Sequence, residues 1–214
     1  MNTVQEENQL RSTTGPARLV LFAAIIAILG LMPALPLFGG AVPVTAQTLG
    51  VMLAGAVLGP WRGAASVTLF LILVAVGLPL LAGGRGGIGV FFGPSAGYML
   101  GWIAGAAVIG LIIHTGATRP TWLRTAAGLV VGGILVVYLF GIPVQSFIVG
   151  TSLTETALQS SVFLVGDTIK VVIAALVTMA LWKAYPQAFP SFRRSSDRTP
   201  AESLSPATSN PRES

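Results

Sequence analysis

Apolar residues along the chain fall into six long runs, which short polar or glycine-rich turns separate. A membrane-spanning helix needs about 20 predominantly apolar residues. A chain of 214 residues has room for about six such helices with their loops. The pattern therefore predicts an all-α integral membrane protein, a bundle of six transmembrane helices at roughly 19–31, 45–58, 64–78, 94–113, 125–140 and 162–182.

The fourth run has a regular spacing of glycines, and a glycine-rich loop over 83–89 with a single arginine, Arg85, precedes it. Residues four apart lie in one row of a helix, and small residues in such a row let another helix pack closely. Pro94 suits the first helical position, where its missing N–H would be unpaired anyway. The spacing thus predicts a helix from Pro94 with a packing row of four glycines: Gly93, Gly97, Gly101 and Gly105.

Composition supports a membrane location. Only 9% of the residues are charged and the mean hydropathy is +0.81, whereas soluble domains carry roughly 25% charged residues. The chain has no cysteine, which excludes disulfides and thiolate metal sites. The polar ends, 1–16 and 185–214, are predicted to be disordered tails around a membrane domain over 17–184.

The basic residues set the predicted orientation. With both termini in the cytoplasm, ten of them lie on the inner side, as the positive-inside rule requires: Arg11, Arg18, Arg62, Arg119, Arg124, Lys183, Arg193, Arg194, Arg198 and Arg212. The net charge of +5 is explained by this distribution in a lipid bilayer, so no nucleic-acid partner is expected.

Two cations, Arg85 and Lys170, do not follow that distribution. Asp167 lies three residues before Lys170 and so shares its helix face. One interpretation is a structural ion pair with a solvated interfacial Arg85. The other is a polar pocket for a small solute, in which Arg85 would grip a carboxylate with its planar guanidinium.

Three other sequence patterns are weaker indications of function. The G-x-G-x-x-G match at 84–89 lacks the strand and the βαβ unit that a dinucleotide site needs. His114, expected in a cytoplasmic turn, has no carboxylate cluster beside it, so no catalytic or metal site is predicted. Ala23 and Ala27 are four apart on the first helix, which fits either packing within the bundle or close approach of another helix.

Five short motifs together resemble the biotin transporter BioY family, the substrate-binding S components of energy-coupling-factor transporters. They are Val42-Pro-Val-Thr-Ala-Gln47, Gly77-Leu-Pro79, Gly83-Gly-Arg-Gly-Gly87, Gly93-Pro-Ser-Ala-Gly-Tyr98 and Gly166-Asp-Thr-Ile-Lys170. The resemblance covers about 17–182. Ser95 and Val165 depart from it, standing where threonine and proline are expected.

The resemblance implies a biotin pocket near the outer face, beneath the first and third external loops, in a bacterial cytoplasmic membrane protein that is not an enzyme and needs no cofactor. The Gly-Asp-x-x-Lys motif places Asp167 and Lys170 in that pocket. Ala23 and Ala27 would contact a transmembrane coupling subunit, and partner ATPase subunits would power transport. The alternatives are an S component for another small vitamin and a membrane-embedded lipid-modifying enzyme.

The chemistry of biotin suggests roles for the remaining candidates. Asp167 would accept from the ureido N–H groups, and either Arg85 or Lys170 would bind the valerate carboxylate. The expected substrate-binding set also includes neutral hydrogen-bonding side chains, aromatic covers and loop glycines that gate the pocket: Thr45, Gln47, Tyr98, Phe91, Phe92, Trp102, Gly86 and Gly87.

Overall fold

The computed structural model describes the backbone of residues 2–32 and 45–189 and the side chains of 15–32 and 45–189. Within these ranges the protein is helical and contains no strand beyond one isolated bridge between Leu81 and Arg85. The α-helices are α1 (Asn2–Gly30), α2 (Gln47–Leu58), α3 (Pro60–Ala75), α4 (Ala96–His114), α5 (Trp122–Val130), α6 (Val137–Val149), α7 (Leu153–Ser160) and α8 (Phe163–Ala184). A π-helical segment, Val131–Val136, joins α5 to α6, and short 3₁₀ helices cover Ile88–Phe92 and Pro186–Ala188.

Three of the described helical stretches are long and apolar enough to cross a membrane: Ala96–His114, Trp122–Val149 and Phe163–Ala184. Three shorter apolar stretches, Gly15–Gly30, Gln47–Leu58 and Pro60–Ala75, match the first three predicted spans. The all-α membrane class is therefore confirmed. The six-span count and the orientation of the termini stay predictions.

The predicted glycine row is the packing surface of α4. A Cβ on Gly97 would lie 2.6 Å from Val144 Cβ, one on Gly101 would lie 2.9 Å from Val137 Cα, and one on Gly105 would meet the Gly132 carbonyl at 2.5 Å. Real Cβ atoms do not approach this closely, so α4 meets the α5–α6 helix backbone to backbone.

The start of α4 differs from the prediction. Pro94 lies in a turn and the helix begins at Ala96, whose N–H donates to the Gly93 carbonyl at 2.9 Å. Gly93 itself follows the 3₁₀ helix with extended backbone, so it lies outside the packing row. The predicted start was wrong because Pro94 belongs to a hydrogen-bonded turn that precedes the helix and is not the first helical residue.

The fifth predicted span was placed too short. It was predicted to end at about residue 140, but α6 continues through Pro143 to Val149. Proline is tolerated inside membrane helices when neighbouring groups satisfy the freed backbone carbonyl. The stretch between the fifth and sixth predicted spans also contains a helix, α7, whose N-cap Ser152 accepts a hydrogen bond from the Glu155 N–H at 3.1 Å.

The structure describes part of each predicted tail, and the division of the chain into tails and a membrane domain stays a prediction. The backbone is helical from Asn2, in a stretch free of glycine and proline up to Gly15. At the other end Phe189 is fully buried and packs edge-on against Trp182, 5.4 Å between ring centroids. The rest of the predicted C-terminal tail, 190–214, and the loop over 33–44 lie outside the described residues.

His114 also corrects a prediction. It is the last residue of α4 rather than part of an exposed turn, and only 9% of its surface is exposed. Its Nε2 lies 2.8 Å from the Ala56 carbonyl oxygen, which ties the end of α4 to α2. The histidine therefore belongs to the packed end of the bundle.

Candidate functional site

A cavity opens where α2, α4 and α8 begin, beside the loop that carries Arg85. Including the open solvent at its mouth, the empty space is about 640 Å³. The π-helical segment contributes Gly133, the one lining residue without a side chain. The full lining is Thr45, Gln47, Thr48, Leu81, Arg85, Ser95, Tyr98, Met99, Trp102, Gly133, Val137, Tyr138, Phe163, Asp167 and Lys170.

Asp167 and Lys170 form one wall of the cavity. Lys170 Nζ lies 2.9 Å from Asp167 Oδ1, and the two side chains are only 13% and 8% exposed, respectively. Lys170 Nζ also donates to Thr48 Oγ1 at 2.9 Å, and the Tyr138 hydroxyl donates to Asp167 Oδ2 at 2.8 Å. Both charges thus have a partner from another helix, as buried charges require.

Aromatic rings line the cavity beside this pair. Tyr98 meets Tyr138 and Phe163 edge to face, with centroids 6.3 and 6.4 Å apart. Trp102 lies one turn further along α4, tilted against Phe70. The wall is therefore suited to an apolar ring system.

The Tyr98 hydroxyl is already hydrogen-bonded within the protein. It donates to Gln145 Oε1 at 2.8 Å and lies 2.9 Å from Ser160 Oγ. Ser160 and Thr156 are the two buried positions of α7, one turn apart, so this contact holds α7 against the cavity wall. Tyr98 therefore presents mainly its ring to the cavity.

Arg85 stands at the mouth, on a tight loop. Leu81 and Arg85 exchange two backbone hydrogen bonds of 3.0 and 3.2 Å, and Gly83 and Gly84 between them have positive φ angles of 78° and 69°. The Arg85 side chain is exposed, and its Nε donates to the Ala82 carbonyl at 3.2 Å. Among the described residues no carboxylate lies within ion-pair distance of this guanidinium.

The comparisons with known proteins agree with one another. The profile of the BioY family matches residues 3–187 of the chain. The chain belongs to the BioY family. Its relatives include a biotin transporter BioY of Rhodobacter capsulatus, 46% identical over 178 residues that cover 78% of this chain and 93% of the relative.

A biotin transporter BioY of Rhizobium etli is 47% identical over 173 residues, with 78% and 91% covered. A solved structure described as the S-component for biotin from an ECF-type ABC transporter superposes with a TM-score of 0.78 at 32% identity. That alignment covers 84% of this chain and 97% of the solved chain. The predicted resemblance is thus confirmed, and these relatives are transporters rather than enzymes, as expected.

Within this BioY fold, six of the eight predicted substrate-binding residues other than the aromatic covers line the cavity: Thr45, Gln47, Arg85, Tyr98, Asp167 and Lys170. Gly86 and Gly87 do not. A Cβ on Gly86 would collide with the Leu78 carbonyl, and the Gly87 N–H donates to the Val74 carbonyl at 2.8 Å, so both glycines shape the loop. Their contact with a ligand stays a prediction.

Of the three aromatic residues predicted to cover the rings of biotin, one lines the cavity and two do not. Trp102 lines the cavity, while Phe91 and Phe92 belong to the 3₁₀ helix outside it, with Phe92 76% exposed. On α1, Ala23 is only 3% exposed and packs in the core, whereas Ala27 is half-buried. Ordinary packing therefore accounts for Ala23, and contact of this pair with a coupling subunit stays a prediction.

Two residues that hold the charged pair, Thr48 and Tyr138, were not predicted from the sequence. Thr48 directly follows Gln47, the last residue of one of the five motifs, so its proximity to the other candidates was a usable signal. Tyr138 lies within an apolar run, where a lone tyrosine among aliphatic residues is the only hint. Its contact with Asp167 spans 29 residues of sequence and depends on how α6 packs against α8.

Proposed function

We propose that this chain captures biotin with high affinity at the outer face of the bacterial cytoplasmic membrane and mediates its uptake. The observation that carries the proposal is the Asp167–Lys170 pair, which lines a cavity of a BioY-family chain. Relatives that cover most of the chain are named as biotin transporters. Asp167 and Lys170 supply an acceptor and a donor side by side.

The lining complements the three parts of biotin. A carboxylate such as Asp167 accepts from the ureido N–H groups, and the aromatic wall with Trp102 covers the fused rings. Two cations and one carboxylate line the cavity, which leaves one net positive charge for the single negative charge of biotin. Because Lys170 already has Asp167 as its counterion, the valerate carboxylate is assigned to Arg85.

Six membrane spans with both termini in the cytoplasm fit this role. The six apolar helical stretches include α2, α4 and α8 as the even-numbered spans, and the cavity lies at the ends where these three begin. With the N terminus inside, even-numbered spans begin at the outer face, so the cavity opens outward. The concentration of arginine on the opposite side favours the same orientation.

Transport is driven by ATP hydrolysis in partner ATPase subunits, which act through a transmembrane coupling subunit. The solved structure with a TM-score of 0.78 is an S-component of an ECF-type ABC transporter, which supports this assignment. The membrane-enzyme alternative is weaker, because the described residues hold no cluster of three metal-ligating side chains.

Binding of labelled biotin to the purified protein tests the substrate. We expect saturable binding that excess unlabelled biotin abolishes and a hundredfold excess of thiamin or riboflavin leaves intact. An S component for a different vitamin would show the reverse order of competition. A protein that binds none of these ligands would contradict the proposal as a whole.

Uptake of labelled biotin tests the need for partners. Cells that carry this chain together with a coupling subunit and ATPase subunits are expected to accumulate biotin against its gradient. A Walker-A lysine-to-alanine change in the ATPase serves as the matched control. Equal accumulation in that control would show that ATP hydrolysis is not the energy source.

A further inference from the structure

Gln47 is the most deeply buried polar side chain at the cavity, with 1% of its surface exposed. It is the first residue of α2, and both ends of its amide contact the backbone of the loop that carries Arg85. Nε2 donates to the Leu80 carbonyl at 3.1 Å, and Oε1 accepts from the Ala82 N–H at 3.0 Å. If the amide were flipped, its N–H₂ would face the Ala82 N–H and its oxygen would face the Leu80 carbonyl, and neither contact is a hydrogen bond. The two observed bonds therefore fix the orientation of the amide.

Ala82 is held from its other side by Arg85. The Ala82 carbonyl accepts from Arg85 Nε at 3.2 Å, while the Ala82 N–H donates to Gln47. The backbone bonds between Leu81 and Arg85 close the same loop. A continuous chain of hydrogen bonds therefore runs from Gln47 through Ala82 to the guanidinium.

The end of α1 packs against the same point. A Cβ on Gly30 would lie 2.7 Å from Gln47 Nε2 and closer still to the Leu80 carbonyl oxygen. Only glycine leaves room for the carbonyl of Leu80 to reach the Gln47 amide. Three segments thus meet at Gln47: the last residue of α1, the first turn of α2 and the loop over 80–85.

The neighbouring residue, Thr48, connects the same turn of α2 to the other charge, because it accepts a hydrogen bond from Lys170. We propose that Gln47 is a positioning residue, which holds Arg85 at the cavity mouth and so sets recognition of the ligand carboxylate without contacting the ligand itself. This inference rests on the proposed binding of biotin and assigns Gln47 a role different from the direct hydrogen bond expected from the sequence.

The test compares biotin with its neutral methyl ester, which lacks the charge that Arg85 recognises. Gln47→Met keeps the length and volume of the side chain and removes both hydrogen bonds. We expect it to weaken biotin binding about tenfold, the size of one charge-assisted hydrogen bond, and ester binding less than about twofold. Titration calorimetry of the purified proteins measures both affinities.

A double-mutant cycle separates positioning from direct contact. In an Arg85→Ala background, Gln47→Met is expected to change biotin affinity less than about twofold, because residues that act through one another are not additive. A full tenfold loss in that background, or equal losses for biotin and the ester, would show that Gln47 contacts the ligand and would overturn the inference. If the wild type binds neither ligand, it is the proposed function that fails.

Two further measurements test the proposal if the Gln47→Met protein does not fold. Gly30→Ala disturbs the same junction from outside the cavity, and it should lower biotin affinity about threefold with little effect on the ester. In the wild type, the Ala82 amide should exchange with deuterium at least about a hundredfold slower than an unstructured amide, because Gln47 holds it. An unprotected Ala82 amide, or a Gly30→Ala protein that binds biotin as the wild type does, would contradict the proposal.

Discussion

The two cations of the cavity are held in opposite ways. Lys170 is 13% exposed, pairs with Asp167 and donates to Thr48, so its charge is compensated before any ligand arrives. The Arg85 side chain is exposed, and among the described residues its guanidinium donates only to one backbone carbonyl, that of Ala82. A buried charge must be paired within the protein, whereas an exposed charge is solvated and available for a ligand.

This difference assigns the two regions different tasks. The Asp167–Lys170 wall is preformed and offers polar atoms in fixed positions, which favours selection by shape and hydrogen bonding. The Arg85 loop offers net charge at the mouth, which favours attraction of an anion and is screened by salt. The ureido group and the carboxylate of biotin match this division.

The largest effect is expected from the preformed wall. Asp167→Asn keeps the shape of the side chain but replaces a charged acceptor with an amide that carries two donors. The loss of a charge-assisted hydrogen bond of roughly 1.5–3 kcal/mol predicts that biotin binds about a hundredfold more weakly. Calorimetric titration of the purified variant measures the loss.

Glu155→Gln is the matched control, because Glu155 is an exposed acid on α7 and should bind as the wild type does. The ester should lose at least as much affinity as biotin in Asp167→Asn, since the ureido group is common to both and Lys170, without its counterion, favours the anion. A loss of affinity restricted to biotin would instead place Asp167 near the ligand carboxylate and would contradict the assignment of the ureido group to the Asp167–Lys170 wall.

The second effect concerns the mouth. Arg85→Gln is expected to weaken biotin binding about tenfold and to leave the methyl ester nearly unchanged, because an exposed guanidinium contributes mainly through the ligand's charge. Raising the salt concentration should weaken biotin binding in the wild type and have less effect in the variant. Arg62→Gln, an exposed arginine at the start of α3, is the control.

A variant that lost ester and biotin equally would show that Arg85 supports the fold of the loop rather than the carboxylate. In that case Lys170 would become the remaining candidate for the carboxylate. The salt dependence distinguishes these outcomes, since the buried Lys170 is screened much less than Arg85.

The comparison also explains what could be predicted from the sequence. A charge inside an apolar helix is conspicuous, so Asp167 and Lys170 were found, and their spacing of three residues placed them on one face. Arg85 was found because it violates the distribution of basic residues. The glycine row of α4 was found because its period matches the helix.

Other features depend on contacts between segments far apart in sequence. The hydrogen bond between Lys170 and Thr48 spans 122 residues, and that between Gln47 and Ala82 spans 35. Gln47 was predicted to face the ligand because its residue type allows it, while the packing of α1 against the loop decides which atoms it contacts. The continuation of α6 through Pro143 likewise depends on neighbouring helices rather than on local propensity.

The smallest effect is expected at Thr48, because Lys170 has a second hydrogen-bond partner in Asp167. Thr48→Val removes the hydroxyl that accepts from Lys170 but leaves the Asp167 contact at 2.9 Å intact. A single hydrogen bond contributes roughly 0.5–1.5 kcal/mol, so the affinity for biotin should fall about threefold, and the affinity for the ester should fall by the same factor.

Thr68→Val is the control, because that hydroxyl bonds within its own helix, to the Ala64 carbonyl, and does not line the cavity. A loss as large as that of Asp167→Asn would mean that Thr48, and not the pairing with Asp167, holds Lys170 in place. The preformed wall would then depend on the same first turn of α2 as the loop of Arg85 does.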